Sequence, residues 1–400
     1  MQNNEPVSEA TAIGGINMTQ KTPKTLKHGV VNRVQHTLFR YQGWPSIARD
    51  ENGTLYAVAS SFRCEHICPF GKTAMYISKN NGETWSPPIV INDTYLDDRD
   101  AGILYMGNGR MLVTWFTHPA DVYLNHYYQS IKNSATQMEG APTVGMLGMY
   151  PFIPKEHGCG GSFIRVSEDY GITWSETIQI PVSAPHGPTV CKDGTLVYLG
   201  KEHYFGDKVG VPGSTTQDLI IAAYVSTDGG YTWTMKGECK KPDDLSWDHF
   251  HEPHVIELDD GTLYGTIRAQ GNGVAHGFTM YSTVSRDGGA TWSEWRNMED
   301  VSGSPPHLLK HSSGALICVY GRREAPFGER ALVSWDNGET WSEDYDLDHR
   351  AEGGDLGYPC SVELDDGSIL TVYYQKYYDD ETGKYDDKCS ILYTRWTLDR

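Results

Sequence analysis

SRDGGATW (Ser285–Trp292) returns along the chain as SEDYGITW (Ser167–Trp174), STDGGYTW (Ser226–Trp233) and SWDNGETW (Ser334–Trp341). It appears once more as SKNNGETW (Ser78–Trp85), with Asn80 in place of the aspartate. Serine, aspartate, glycine, threonine and tryptophan at constant spacing are turn chemistry. The aspartate accepts backbone N–H groups, the glycine supplies a positive φ, and the hydroxyls bond locally. Five equivalent copies cannot all reach one reaction centre. The phrase therefore reads as structural, with its tryptophan packing against a neighbouring repeat.

A second phrase keeps the same rhythm: a turn ending in glycine, a small residue, then a hydrophobic strand. It occurs at Gly53, Gly109, Gly194, Gly261, Gly314 and Gly367, and one S-x-D-x-G-x-T-W copy follows each of the first five. Asn-Gly and Asp-Gly between alternating strands signal hairpins. Each unit reads strand, glycine turn, strand, loop, strand, S-x-D-x-G-x-T-W turn, strand. Four antiparallel strands at a period of about 50 residues make a propeller blade. The pattern predicts an all-β chain: one six-bladed β-propeller over residues 26–400 behind an N-terminal extension, 1–25. Only 33 residues follow Gly367, without the second turn, so the segment near HGVVNRVQH (His28–His36) is expected to supply the missing strand. The interval from Gly109 to Gly194 is 85 residues, and its excess, about 119–161, is expected to be an inserted loop roofing one end of the ring.

The formal net charge of −19 excludes nucleic acid and anionic membrane as partners, since either would repel such a surface. No apolar run reaches membrane-spanning length. The opening MQNNEPVSEATAIGG lacks the basic and apolar regions of a signal peptide, so a reduced, cytoplasmic protein is expected. The eight cysteines show no zinc pattern. Cys191, Cys318, Cys360 and Cys389 sit in strand-like text as expected buried thiols, while Cys64 and Cys68 flank a loop and are spaced so that they could pair. Phosphate-cradling, nucleophile-elbow and dinucleotide motifs are absent, and no cofactor is expected.

The register of the glycine turns locates a rim. Nine residues before them stand Trp44, Asp100, Pro185, Glu252, Pro305 and Tyr358, which should begin the innermost strands and circle one mouth of the channel. The second strands return to that mouth at Arg63, His118, Lys201 with His203, Arg268, Arg322 with Arg323, and Tyr374 with Lys376. A basic rim on an acidic body suggests an anionic ligand; salt-bridged structural arginines are the alternative. Glu252 and Tyr358 stand out in the inner ring. A phenol is a poor nucleophile until a base takes its proton, and a neighbouring carboxylate can do so. A neutral phenol also avoids the repulsion that a carboxylate nucleophile would meet in a substrate carrying its own carboxylate.

In LDDRDAG (Leu96–Gly102), Asp100 is a candidate general acid or a partner orienting Arg99 or Arg63. Lys72 reaches either the same mouth or solvent. His249, His251 and His254 lie close enough to raise a metal site, but they lack a clear carboxylate or cysteine set. No metal is expected, and His254 is a candidate for hydrogen bonding to substrate; His118 and His186 also lie near the rim, with no role assigned.

These residues resemble the sialidase (neuraminidase) superfamily over nearly the whole chain. The repeated phrase resembles its structural Asp-box. HEPHVIELDDGTLYGTIR resembles the segment with the catalytic glutamate and second carboxylate-binding arginine, which implies those roles for Glu252 and Arg268. GYPCSVELDDGSILTVYY resembles the nucleophile segment, which implies Tyr358. GERALVSWDNGETW resembles the segment with the third arginine, pointing to Arg330, and Arg63 sits where the family has an arginine after the first blade's second strand. Two features depart from the family. Gly43-Trp44-Pro45 replaces the usual Arg-Ile-Pro, and the loop after Arg63 offers Glu65 and His66 where the family has its acid/base aspartate.

The resemblance implies an exo-acting glycoside hydrolase. Tyr358 would be its nucleophile, Glu252 its base, and Asp100, Glu65 or His66 its proton donor. Arg63, Arg268, Arg330, Arg322, Lys72, Arg99, Trp44, His254 and His118 would surround an acidic sugar, sialic or related. A lyase or non-sialic glycosidase using His66 or His254, and a non-catalytic glycan-binding propeller, are the alternatives.

Overall fold

The computed structural model describes residues 18–24, 26–134, 137–203, 219–298 and 301–399. Six sheets, each read in chain order from an inner to an outer strand, make six propeller blades. Blade 1 spans residues 41–92, blade 2 99–180, blade 3 182–238, blade 4 250–297, blade 5 307–348 and blade 6 357–396. Blade 6 has three strands of its own. Its fourth is Leu26–Asn32, antiparallel to Lys384–Trp396, so the predicted N-terminal strand closes the ring. A short strand, Thr19–Lys21, also adds a parallel edge to blade 5 beside Glu343–Asp348.

The Asp-box repeats are built alike. In blade 4 the Ser285 hydroxyl donates to Asp287 Oδ1 at 2.8 Å and accepts the Gly289 N–H at 2.9 Å. Thr291 donates its N–H to Asp287 Oδ1 and its hydroxyl to Oδ2, at 2.9 and 2.6 Å. The asparagine variant keeps the circuit: Asn80 Oδ1 accepts the Thr84 N–H at 3.0 Å, and Nδ2 donates to the Thr84 hydroxyl at 2.9 Å. The tryptophans pack between blades. Trp85 joins the core shared by blades 1 and 6, Trp174 that of blades 1 and 2, Trp292 that of blades 3 and 4, and Trp341 that of blades 4 and 5. Burying one such ring against its neighbour contributes about 2–3 kcal/mol.

The inserted segment is helical. A π-helical turn, Tyr123–Tyr127, runs into helices Tyr128–Ser134 and Gln137–Met149. Tyr123, Ile131, Leu147 and Tyr150 bury themselves with Leu96. The Tyr123 hydroxyl is anchored on Asp97 Oδ2 at 2.9 Å.

Among the described residues no helix is long and apolar enough to cross a membrane. All eight cysteines are free thiols, with Cys191 and Cys159 only half-buried.

Candidate active site

The innermost strand of a blade bulges where it reaches the mouth of the ring. Pairing with the second strand slips between Gly43 and Ser46, Arg99 and Gly102, His251 and His254, and Gly357 and Cys360. Within each slip lies a non-glycine residue in the left-handed region: Trp44 (φ 52°), Asp100 (51°), Glu252 (57°) and Tyr358 (51°). These are four of the positions counted back from the glycine turns. The other two, Pro185 and Pro305, cannot take a positive φ because their rings hold it near −65°. Each left-handed residue costs of order 1–3 kcal/mol and swings its side chain off the sheet. All four line one cavity of about 440 Å³.

On the cavity floor the Tyr358 hydroxyl donates to Glu252 Oε1 at 2.5 Å. Arg268 Nη1 donates to Glu252 Oε2 at 2.6 Å and to the Tyr358 oxygen at 3.1 Å. Burial opposes the charge on Glu252, but Arg268 and the Tyr358 hydroxyl hold its carboxyl below the ordinary range. Burial, and then the charge of Glu252, push the Tyr358 phenol well above its ordinary value. Tyr358 therefore rests protonated beside an ionised acceptor. Asp100 stands near this trio. Burial pushes its carboxyl up to about 7 against the pull of Arg99, with Glu252 adding to the rise. Its Oδ1 is buried with no hydrogen-bond partner among the described residues.

The walls come from the second strands and the loops after them. Lys201 lends two donors to the carbonyls of Trp247 and Phe250, at 2.9 and 3.0 Å, and burial brings its amine down to about 8. Arg323 lies over the ring of Tyr358, 5.9 Å from its centroid, and donates to the Ser304 and Gly354 carbonyls. Ile67, Phe116, His118 and Tyr127 form an apolar and aromatic side, with Tyr127 supplied by the helical insertion. His66 also lines the cavity, its Nδ1 2.9 Å from Asp355 Oδ1.

Of the residues singled out from the sequence, Tyr358, Glu252, Asp100, His66, Arg268, Arg99, Trp44 and His118 come together here. Six others do not, and nearer partners hold all of them but Arg322. Arg63 is fully buried behind Trp44, paired with Asp97 and bonded to the His66 carbonyl at 2.8 Å. Arg330 grips Asp344 at 2.6 Å and also meets Gln20, inside blade 5. Glu65 is paired with Lys388, and Lys72 with Asp93 and the Thr94 carbonyl. Arg322 lies on the sheet beside Arg323, which is the one that faces the cavity.

His254 sits deeper, ring-stacked on His307 at 4.4 Å and next to His186 at 5.9 Å. Its Nδ1 accepts the Leu308 N–H, and His307 Nδ1 accepts the Ser361 N–H. Their Nε2 atoms consequently carry the protons and offer a metal no lone pair. Among the described residues no group of three or more side chains is placed to hold a metal ion.

Trp44 explains one departure. The guanidiniums of Arg63 and Arg99 lie over its ring, 4.6 and 4.1 Å from the centroid. A third guanidinium in place of the indole would face both. Asp355 was missed from the sequence. It lies three residues before Tyr358 in EGGDLGYP, a loop whose only written signal is that proximity.

Comparison with known proteins agrees with this architecture. The model of the BNR repeat-like domain matches residues 135–371, and that of the BNR/Asp-box repeat matches residues 76–87. No curated protein matches in sequence. Among solved structures, a protein of unknown function from Dyadobacter fermentans is 19% identical at a TM-score of 0.69, covering 94% of this chain and 99% of that one. NanB sialidase from Streptococcus pneumoniae is 14% identical at a TM-score of 0.64, covering 92% and 70%. The leech intramolecular trans-sialidase is 15% identical at 0.62, covering 92% and 69%. With the Asp-boxes in place and the family model spanning more than half its length, the chain belongs to the BNR repeat-like domain family and is a six-bladed propeller with the fold of these sialidase structures.

Proposed function

We propose that the protein is an exo-acting glycoside hydrolase that releases a terminal acidic sugar from a glycan with retention of configuration. The observation that carries this reading is the contact of Tyr358 with Glu252 at 2.5 Å, bridged by Arg268. A phenol held against an ionised carboxylate can lose its proton as its oxygen bonds to an anomeric carbon. Arg268 then stabilises the charge passing between the two. The cations on the wall, Arg99, Lys201, Arg268 and Arg323, favour an anionic sugar on a chain whose overall charge is −19. Asp100 on the floor and His66 on the wall are groups able to protonate the leaving oxygen.

A panel of chromogenic glycosides of sialic, ulosonic and uronic acids, with NMR of the first-formed product, tests the proposal. Hydrolysis with the anomeric configuration retained is expected. An unsaturated, ultraviolet-absorbing product would mean a lyase. Calorimetric binding without turnover would mean a glycan-binding propeller.

A further inference from the structure

We infer that His66, oriented by Asp355, is the proton donor to the leaving group and the proton acceptor from water. The inference rests on the reading of Tyr358 as nucleophile and adds a residue pair to it. Asp355 is fixed from several sides. Tyr41 donates to its oxygens at 3.0 Å, Tyr374 to Oδ1 at 3.1 Å, and the Cys389 thiol lies 3.5 Å from Oδ2. Burial opposes the charge, but His66 and the two phenols hold its carboxyl down at about 2. An ionised carboxylate 2.9 Å from His66 Nδ1 makes that nitrogen the N–H donor and leaves Nε2 as the nitrogen for proton exchange, on a side chain that lines the cavity. This is the way a carboxylate sets the tautomer of a working imidazole.

The position fits a proton donor to a departing group. His66 and Tyr358 flank the same indole, with Trp44 5.0 Å from the first ring and 6.3 Å from the second. Tyr358, Glu252 and Asp100 share the inner-strand bulge and form the cavity floor. His66 instead stands on the loop after the second strand, with 45% of its side chain exposed, where an aglycone leaves. Asp100 is 6% exposed and sits at the depth of the nucleophile. Burial brings the His66 imidazole below its ordinary value; Asp355 draws the proton on, while Arg99 and Arg63, bonded to its own carbonyl at 3.0 and 2.8 Å, push it off.

In the first step the Tyr358 oxygen bonds to the anomeric carbon and its proton passes to Glu252. The bond to the leaving oxygen breaks, and that oxygen takes its proton from Nε2 of His66 in its doubly protonated imidazolium form, which is left as the neutral imidazole with its proton on Nδ1. In the second step His66 accepts a proton from water and the water oxygen bonds to the anomeric carbon. The Tyr358–carbon bond breaks, and the phenolate recovers its proton from Glu252.

The test measures kcat/KM for His66→Ala, Asp355→Asn and Asp100→Asn on 2,4-dinitrophenyl and benzyl glycosides of N-acetylneuraminic acid and of glucuronic acid. The dinitrophenolate leaves without a proton and the benzyl alkoxide does not. His66→Ala should lose on the order of 10²–10⁴-fold on the benzyl glycoside, and less than about tenfold on the dinitrophenyl glycoside. Asp355→Asn should show the same asymmetry, smaller, which a merely structural role would not produce. Equal losses on both glycosides, or asymmetry in Asp100→Asn alone, would overturn the inference and leave the Tyr358 reading standing. Asymmetry in His66→Ala beside a fully active Tyr358→Phe would do the reverse. A wild type inert on both pairs would overturn both.

Discussion

Glu252 and Tyr358, 106 residues apart in the chain, meet at 2.5 Å because each sits in the bulge of its blade's innermost strand with a left-handed backbone. Rotation from blade to blade turns two remote hairpins into one acid–base contact. Tyr358→Phe keeps the ring and the packing and removes only the hydroxyl. The expected result is a fall in kcat of on the order of 10³-fold with a melting temperature close to that of the wild type. Steady-state assay and calorimetry on the same preparation check it.

Arg268 holds the Glu252 carboxyl low against the effect of burial. The base must be ionised to work, so activity is lost as pH falls through the Glu252 pKa, and in the wild type that limb lies below the ordinary carboxylate range. Arg268→Met removes the opposing charge. The acid limb of kcat/KM should then move up by about 1–2 pH units. A limb that stays in place would remove Glu252 from the role.

Asp100 supplies a stability test independent of turnover. Its folded-state pKa, about 7, is raised above the unfolded value of about 3.9. The stability that it contributes is fully present below the unfolded pKa and is lost as pH rises through the folded one. Asp100→Asn should therefore raise the melting temperature by about 2–5 °C at pH 8 and change it little near pH 4. Thermal melts at the two pH values decide it.

The carpentry is testable at two glycines. Gly261 has φ +84° with nothing within 4 Å of an added Cβ, whereas a Cβ at Gly338, φ +86°, would strike the ring of Tyr264. Gly261→Ala should cost about 1 kcal/mol from the backbone alone. Gly338→Ala, in the blade 5 Asp-box, should cost about 2–4 kcal/mol. Urea melts of the two variants compare them.

What was legible in the sequence follows from what a strand register fixes. Counting from the glycine turns finds Trp44, Asp100, Glu252 and Tyr358, because a bulge at one position per blade aims all four the same way. The same counting puts Arg63 near the mouth, and the family resemblance points to Arg330, but a strand position does not say which partner a long side chain takes. Asp97 claims Arg63 from 34 residues away, and Gln20 reaches Arg330 from 310. Asp355 meets His66 across 289 residues, through two loops whose paths no periodicity encodes. Strand chemistry was readable; loop-to-loop meetings needed coordinates.

The most direct measurement is mass spectrometry of the protein quenched with a fluorinated acidic-sugar fluoride, which slows release of a covalent intermediate more than its formation. The expected result is one sugar mass on the peptide carrying Tyr358, with none in Tyr358→Phe. Turnover of the parent glycoside with inversion of configuration, and no adduct on Tyr358, would contradict it.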